Sequence, residues 1–130
     1  MATKVLHVDD SPLAHQIVGS MLRNGFEVRW LRRLEGLAAE VKDWRPDVVL
    51  TDLNVGASTG LDTYDTICES WPGPIVVLTN GGGLWRDALP CAALDKGWST
   101  GTLATVLPTA LNRAAKLAVE PSTAGVVFVH

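Results

Sequence analysis

Cysteine is scarce in this sequence, which has only 2 cysteines in 130 residues. Cys68 and Cys91 lie far apart and form no Cys-x-x-Cys pair, so neither a disulfide framework nor a zinc knuckle is predicted. Long apolar runs are also missing, and none approaches the roughly 20 residues that a membrane span needs. The first residues lack the basic-then-apolar order of a secretory signal. These absences favour a soluble, cytoplasmic protein with no membrane partner.

A strong charge of either sign is missing as well. The chain has 11 Lys and Arg against 14 Asp and Glu, a formal net charge of −3. Proteins that bind the phosphate backbone usually carry a basic face. The only basic cluster, Arg29, Arg32 and Arg33, is more simply explained as a solvated strand end and helix start. We therefore expect no nucleic-acid partner.

Apolar residues are abundant and make up 47% of the chain. This content can fill the core of one compact domain of this length. Several short runs are nearly all apolar and rich in β-branched residues, as expected of strands in a parallel sheet covered on both faces. The clearest span 47–52 and 74–79, and weaker ones span 4–8, 26–31 and 91–95.

Helical patterns fall between these runs. Ser11 followed by Pro12 resembles an N-cap with proline at the first helical position. Further helices are predicted from Leu34 to near Trp44, over 61–70, and from near residue 100 onwards. The last of these contains Pro108, which should bend the helix or destabilise it locally.

The alternation of strands and helices defines the predicted domain organisation. It indicates one α/β domain, residues 1–117, with right-handed crossovers. Residues 118–130 form a C-terminal tail, and its apolar part, 126–129, has the pattern of an extra strand.

Polar side chains stand at the carboxyl ends of four of the five predicted strands. Asp9 and Asp10 follow the first strand, Asp52 ends the third, Thr79 ends the fourth and Lys96 follows the fifth. Ligands of open parallel sheets bind beyond the carboxyl ends of the strands, so we expect these side chains on one rim. Clustered carboxylates repel unless a cation joins them, and oxygen ligands of this kind suit Mg²⁺. A carboxylate can itself be the nucleophile in phosphoryl transfer, with a lysine and a hydroxyl stabilising the transferring oxygens.

Each of these residues also has a simpler explanation when taken alone. An acidic pair in a loop is usually a solvated turn or a helix cap. Thr79 and Lys96 could each be an ordinary turn residue. Their coincidence at four strand ends makes a functional site the better interpretation.

These strand ends resemble the receiver domain of two-component signalling. The resemblance is carried by Val-Asp-Asp-Ser-Pro at 8–12, Leu-Thr-Asp-Leu-Asn-Val at 50–55, Gly60, Val-Leu-Thr at 77–79 and Asp-Lys at 95–96. It covers roughly residues 4–116. The implied fold is a doubly wound, flavodoxin-like parallel sheet of five strands in the order 2-1-3-4-5, with helices on both faces.

The resemblance also implies residue roles. Asp52 would accept the phosphoryl group, Thr79 and Lys96 would bind it, and Gly60 would open the third helix. The cofactor would be Mg²⁺, and its ligands would be Asp9, Asp10, Asp52 and the backbone carbonyl of Asn54. Asp10 typically contacts the metal directly in this family, and Asp9 often does so through water.

The implied partners are proteins. A sensor histidine kinase or a phosphotransfer protein would supply the phosphoryl group, and a downstream protein would receive the signal. A homodimer is a further alternative. The chain would have self-phosphorylation and autodephosphorylation activity at most, rather than the activity of a conventional enzyme.

Four features depart from the family pattern. Asn80 replaces a small residue, Gly97 a proline and Ala93 an aromatic switch residue, while the short, glycine-rich segment 80–90 predicts that the helix between strands four and five is shortened. These departures leave open a non-switching interaction module that signals by constitutive association. A flavodoxin-like or phosphatase enzyme is disfavoured, because it would need a flavin-phosphate loop or a second acid at the position of Asn54.

Overall fold

The protein's structure is a computed structural model that describes residues 2–80, 89 and 91–117. Its strands are β1 (Thr3–Val8), β2 (Phe26–Leu31), β3 (Val48–Thr51), β4 (Ile75–Thr79) and β5 (Ala92–Asp95). Its helices are α1 (Pro12–Met21), α2 (Leu37–Trp44), α3 (Leu61–Ser70) and α4 (Thr100–Leu117), with a short 3₁₀ helix at Leu34–Gly36.

The five strands form one parallel sheet in the order β2-β1-β3-β4-β5. This order confirms the predicted topology. Val8, the last residue of β1, lies beside Thr51, the last of β3. Thr79, the last of β4, lies beside Asp95, the last of β5. The residues that follow these strands therefore meet at the carboxyl edge of the sheet.

Two hydrophobic layers cover the sheet, one on each face. Successive strand residues point to opposite faces, so Val5 and Leu50 pack on one side while Leu6 and Val49 pack on the other. The first layer is completed by residues of α1 and α4, and the second by residues of α2 and α3. Burial on both faces explains why the strand sequences are nearly all apolar.

The start of α1 confirms the predicted cap. The Ser11 side chain accepts a hydrogen bond from the Ala14 N–H at 3.2 Å, and Pro12 occupies the first helical position. Both features favour the helix, because the hydroxyl satisfies an otherwise unpaired amide and proline has no amide to leave unpaired.

The second helix differs from its prediction. An α-helix was expected from Leu34, but a 3₁₀ turn covers Leu34–Gly36 and α2 begins only at Leu37. Gly36 explains the difference, since glycine disfavours a helix interior. A Cβ at this position would also lie 3.2 Å from a methyl group of Leu31, so a larger residue would crowd the sheet.

Several predicted elements match the structure to within a residue or two. The third helix has the expected bounds, and α4 is continuous through Pro108. The strand predicted over 74–79 begins one residue later, because Pro74 has no N–H for the ladder. No helix in the described part of the chain is long and apolar enough to cross a membrane.

Two predictions lie outside the described residues. The shortened helix was predicted within 80–90, of which only residues 80 and 89 are described. The predicted strand at 126–129 belongs to the tail, 118–130, none of which is described.

Candidate functional site

Asp52 lies immediately after β3 and is held through both carboxylate oxygens. Its Oδ1 accepts hydrogen bonds from the Leu53 N–H at 2.7 Å and the Asn54 N–H at 3.3 Å. Its Oδ2 accepts a hydrogen bond from Lys96 Nζ at 2.7 Å. The side chain is only 12% exposed. The carboxylate is therefore fixed in one orientation, with Oδ2 directed at the lysine.

Lys96 joins carboxylates from two strands. Its ammonium donates to Asp52 Oδ2 and also lies 3.3 Å from Oδ2 of Asp9, which follows β1. The Lys96 backbone N–H donates to the Thr79 carbonyl at 3.1 Å, so the lysine is anchored to the end of β4. Thr79 is buried and lies opposite Asp95, the residue before Lys96, in the β4–β5 register. Lys96, which follows β5, thus connects to the ends of three other strands: its ammonium contacts the carboxylates after β1 and β3, and its backbone N–H bonds to the end of β4.

The electrostatics of this group follow from burial. Burial raises the pKa of the Asp9 carboxyl above its usual value, and the amide of Ser11 and the Lys96 ammonium only partly oppose that effect. Burial alone would lower the pKa of Lys96, but the hydrogen bond and charge of Asp52, together with Asp9, raise it. Lys96 is therefore a stable cation within the site.

Asp10 is oriented differently from its neighbour. Its side chain is exposed, and Oδ2 accepts a hydrogen bond from the Gly56 N–H at 3.0 Å in the loop between β3 and α3. Gly56 has a φ of 61°, a conformation that favours glycine. Among the described residues, no group of three or more His, Cys, Asp or Glu is placed to hold a metal ion. The structure brings together two of the three carboxylates and leaves the third bound to the loop.

The residue types nevertheless fit a magnesium ion. Asp9 and Asp52 already share one cation, and their oxygens are hard ligands of the kind that Mg²⁺ takes. Asp10 adds an exposed carboxylate at the same edge, held by one hydrogen bond to a loop amide. Asn54, whose carbonyl was the fourth predicted ligand, is exposed beside them.

The other motif positions lie where the sequence predicted them. Gly60 is the N-cap of α3 and has a φ of 58°, which explains glycine at this position. Ala93 is buried in β5, and Asn80 is exposed after β4. The Gly97 N–H donates to Asp95 Oδ1 at 2.7 Å, so the turn after Lys96 is closed by a side chain.

Comparison with known proteins decides the family. The family model of the response regulator receiver domain matches residues 5–95. The chain belongs to this family.

Its relatives include two protein-glutamate methylesterase/protein-glutamine glutaminases. One, from Shewanella oneidensis, is 31% identical over 73% of this chain and 29% of its own length. The other, from Rhodospirillum rubrum, is 34% identical over 72% of this chain and 27% of its own length. This receiver therefore spans less than a third of these curated relatives.

A solved structure supports the fold of this receiver. The response regulator domain of Thermotoga maritima CheB aligns with a TM-score of 0.72, at 17% identity, over 89% of this chain and 98% of that domain. Together with the family match, this makes the chain a receiver domain of two-component signalling.

The receiver contains one group of side chains that sequence analysis did not connect with the site. His7 is buried in β1, with Nε2 3.8 Å from Asp9 Oδ2 and Nδ1 3.2 Å from Nδ1 of His15. His15 stacks on Trp30, with ring centroids 4.6 Å apart, and Trp30 Nε1 donates to the Asp9 carbonyl at 2.7 Å. The signal available in the sequence was the spacing of His7 and Asp9, since residues two apart on a strand share a face.

Proposed function

We propose that this receiver accepts a phosphoryl group on Asp52, in a reaction that depends on Mg²⁺. The observation that carries the proposal is the 2.7 Å hydrogen bond between Asp52 Oδ2 and Lys96 Nζ at the carboxyl edge of the sheet. A carboxylate held next to a fixed cation, and close to a second carboxylate, has the composition needed for acyl-phosphate formation.

The orientation of Asp52 selects the attacking oxygen. Among the described residues, Oδ1 accepts hydrogen bonds from two backbone amides, whereas Oδ2 is bound only by Lys96. Oδ2 would form the new bond to phosphorus. The bond from phosphorus to the donor atom breaks, and its electron pair leaves with the donor, which is a histidine nitrogen if the donor is a kinase. The Lys96 ammonium can then pair with a phosphoryl oxygen in place of the carboxylate.

Asp9, Asp10, Asp52 and the Asn54 carbonyl are the residues that would hold Mg²⁺. The ion would neutralise charge on the phosphoryl oxygens. Thr79 would donate a hydrogen bond from its hydroxyl to the transferred group, because it ends β4 beside the anchored lysine. A further cation is needed at this site, because a phosphoryl group adds negative charge to carboxylates of Asp9 and Asp52 that already share the single ammonium of Lys96.

Partners follow from this chemistry. A sensor histidine kinase or a phosphotransfer protein would supply the phosphoryl group, and output would pass through contact with a downstream protein. The catalytic activity of the longer relatives is not part of this proposal.

Labelling of Asp52 tests the proposal directly. A small phosphodonor with Mg²⁺ should add one phosphoryl group, detected by mass spectrometry of the intact protein and located on the Asp52 peptide. Asp52→Asn should abolish labelling, because an amide is a poor nucleophile. Asp10→Asn should weaken Mg²⁺ binding and slow labelling at limiting metal.

A matched control flanks the same strand. Asp47→Asn changes an aspartate at the opposite end of β3, where Oδ2 accepts from the Lys4 N–H at 2.8 Å. This variant should be labelled like the parent. Labelling of Asp52→Asn at the parent level, or no dependence on Mg²⁺, would contradict the proposal.

A further inference from the structure

His7 lies between His15 and Asp9 on the face of the sheet that α1 covers. Its Nδ1 is 3.2 Å from Nδ1 of His15, and its Nε2 is 3.8 Å from Asp9 Oδ2. The His7 side chain is only 1% exposed, so both ring nitrogens depend on protein groups for their partners. The two contacts supply one partner on each side of the ring. His15, His7 and Asp9 therefore form a continuous row, which we call the histidine row.

Trp30 holds the histidine row at both of its ends. The His15 ring stacks on the Trp30 ring, with 5° between the planes and 4.6 Å between the centroids. At the other end, Trp30 Nε1 donates a hydrogen bond to the Asp9 carbonyl at 2.7 Å. Trp30 lies opposite His7 in the β1–β2 register, so the tryptophan and the central histidine are anchored on neighbouring strands. The row is a rigid arrangement of rings rather than a chance contact.

The hydrogens of the row follow from its contacts. When both rings are neutral, each has one N–H and one unprotonated nitrogen, and the contact between the two Nδ1 atoms needs one hydrogen. If His7 supplied it, the lone pair of its Nε2 would face the Asp9 carboxylate, and two acceptors would oppose each other in a buried place. If His15 supplies it, the His7 Nε2–H faces the carboxylate. The second arrangement is favoured, because each contact then joins a donor to an acceptor.

The Asp9 carboxylate shares its ammonium with the phosphoacceptor. Its Oδ1 accepts a hydrogen bond from the Ser11 N–H at 3.0 Å, and its Oδ2 lies 3.3 Å from Lys96 Nζ. Lys96 is closer to Asp52, at 2.7 Å, and can leave Asp9 when it pairs with a phosphoryl oxygen. Within the described part of the chain, the His7 Nε2–H is the other donor group that faces Oδ2. At 3.8 Å it acts as a dipole directed at the carboxylate, since this distance exceeds that of a hydrogen bond.

We propose that His7 is a positioning residue for Asp9 and that His15 orients the His7 ring. The inference rests on the proposed phosphorylation of Asp52, because it assigns His7 a function in the Mg²⁺ site of that reaction. The His7 Nε2–H keeps the Asp9 carboxylate in place before the metal arrives, so less reorganisation accompanies binding. His7 acts through Asp9 and contacts neither the metal nor the phosphoryl group.

The protonated nitrogen of each ring is the first measurement. With ¹⁵N-labelled histidine at about pH 8, where imidazole is neutral, two-bond proton–nitrogen spectra distinguish protonated from unprotonated ring nitrogens. His7 should be protonated at Nε2 and unprotonated at Nδ1, and His15 should be protonated at Nδ1. This measurement needs neither metal nor phosphodonor. A His7 ring that is protonated at Nδ1 would overturn the inference.

Substitutions of His7 then test its effect on Mg²⁺ binding. Titration with Mg²⁺ is followed by the amide chemical shifts of residues 9–11 and 52–54. His7→Phe fills the buried space without a donor and should weaken binding roughly threefold to tenfold, the range of one hydrogen-bonding contact. His7→Gln has an amide N–H that reaches the position of Nε2, so it should recover most of the affinity. Gln16→Ala is the control, since Gln16 is exposed on α1 next to His15 and should leave binding unchanged.

Substitutions of His15 separate its hydrogen bond from its stacking. His15→Asn retains an N–H close to the position of Nδ1 but removes the ring, and it should bind Mg²⁺ almost like the parent. His15→Phe retains a ring against Trp30 but cannot donate to His7, so it should lose part of the affinity. The opposite order of these two variants would show that stacking alone matters and would overturn the function of His15.

The order of the His7 variants distinguishes positioning from packing. A residue needed only for packing predicts that His7→Gln, with its polar amide, binds Mg²⁺ no better than His7→Phe, and that result would overturn the inference. If the parent binds no Mg²⁺, the inference and the proposed function both fail. If Asp52 is labelled with Mg²⁺ but His7→Phe binds the metal like the parent, the inference alone fails. If the variants behave as expected and Asp52 is not labelled, the proposed function fails while the positioning of Asp9 by His7 stands.

Discussion

His7 is a buried imidazole whose surroundings disfavour its charged form. Burial, with smaller contributions from the neighbouring His15 and Lys96, lowers the pKa of His7 to about 3, and the charge of Asp52 opposes this only in part. In the unfolded chain the same side chain would protonate near its ordinary pKa of 6.5. As the pH falls below 6.5, the unfolded state therefore takes up a proton that the folded state does not.

This difference predicts a pH-dependent stability. The contribution of His7 is fully present above pH 6.5 and is lost as the pH falls towards its folded value of about 3. The free energy of unfolding should fall by up to about 1.4 kcal/mol per pH unit from this residue. Urea denaturation between pH 7 and pH 5 measures it, and His7→Asn should flatten the dependence.

His15 and Asp9 also contribute to the pH dependence of stability, and their contributions must be distinguished from that of His7. Burial also lowers the pKa of His15, which is less buried, so His15→Asn should flatten the curve less. Asp9 has a raised pKa, so its contribution is present at low pH and is lost as the pH rises. Asp9 is present in the parent and in both variants. Its contribution to the pH dependence of stability therefore cancels when each variant is compared with the parent. Parallel curves for the parent and His7→Asn would contradict the assignment.

At the residue scale, the sequence predicted identities better than orientations. Asp9, Asp52, Thr79 and Lys96 lie at the carboxyl ends of their strands as expected, because strand ends can be read from apolar runs. That Asp10 bonds to Gly56, while Asp9 faces Lys96, depends on the path of the β3–α3 loop. Loop paths leave no periodic pattern in the sequence.

Among the described helices, α4 is unusual because it contains a proline in its interior. The helix is continuous from Thr100 to Leu117, although Pro108 has no N–H to donate to the carbonyl of Ala104. The buried residues Leu107 and Leu111 hold this part of the helix against the sheet. Tertiary packing thus maintains a helix that local propensity disfavours.

Replacement of the proline should stabilise the protein. Pro108→Ala restores the backbone hydrogen bond and should raise the free energy of unfolding by about 1–3 kcal/mol. Thermal or urea denaturation measures the change. Thr109→Ala is the control, since it removes an exposed hydroxyl, which donates to the Thr105 carbonyl at 3.2 Å, and a methyl group, but changes no backbone hydrogen bond. If Pro108→Ala leaves the free energy of unfolding unchanged or lowers it, Pro108 does not destabilise α4.

The contrast between local propensity and tertiary packing also explains which helices and strands could be predicted from the sequence. The β3 and β4 sequences are apolar on both faces because each strand is covered by two layers, and α3 has the expected bounds. The predicted start of α2 at Leu34 was wrong. The spacing of the apolar residues Leu34 and Leu37 fits both an α-helix that begins at Leu34 and a 3₁₀ turn that precedes a helix beginning at Leu37. Boundaries depend on single hydrogen bonds, whereas element type depends on a whole segment.

At the scale of the molecule, β2 and β5 lie at the two ends of the strand order. Among the described residues β5 pairs only with β4, so the N–H and C=O groups of its other side are not used in the sheet. Residues 126–129, Val-Val-Phe-Val, are apolar and β-branched, the composition that favours strand pairing. An unpaired edge and a strand-like segment in one chain are complementary.

Strand pairing by the tail therefore remains a prediction, and truncation can test it. We expect residues 126–129 to pair with the β5 edge or with a second copy of the chain. Removing everything after Lys116 should then lower the melting temperature or the mass in solution, because burial of four apolar residues contributes a few kcal/mol at about 25 cal/mol per Å². Calorimetry and light scattering of both chains distinguish docking from dimerisation. A matched full-length variant, Val127→Asp with Phe128→Asp, should reproduce the loss if strand pairing is the cause. An unchanged melting temperature together with an unchanged mass would exclude both forms of the prediction.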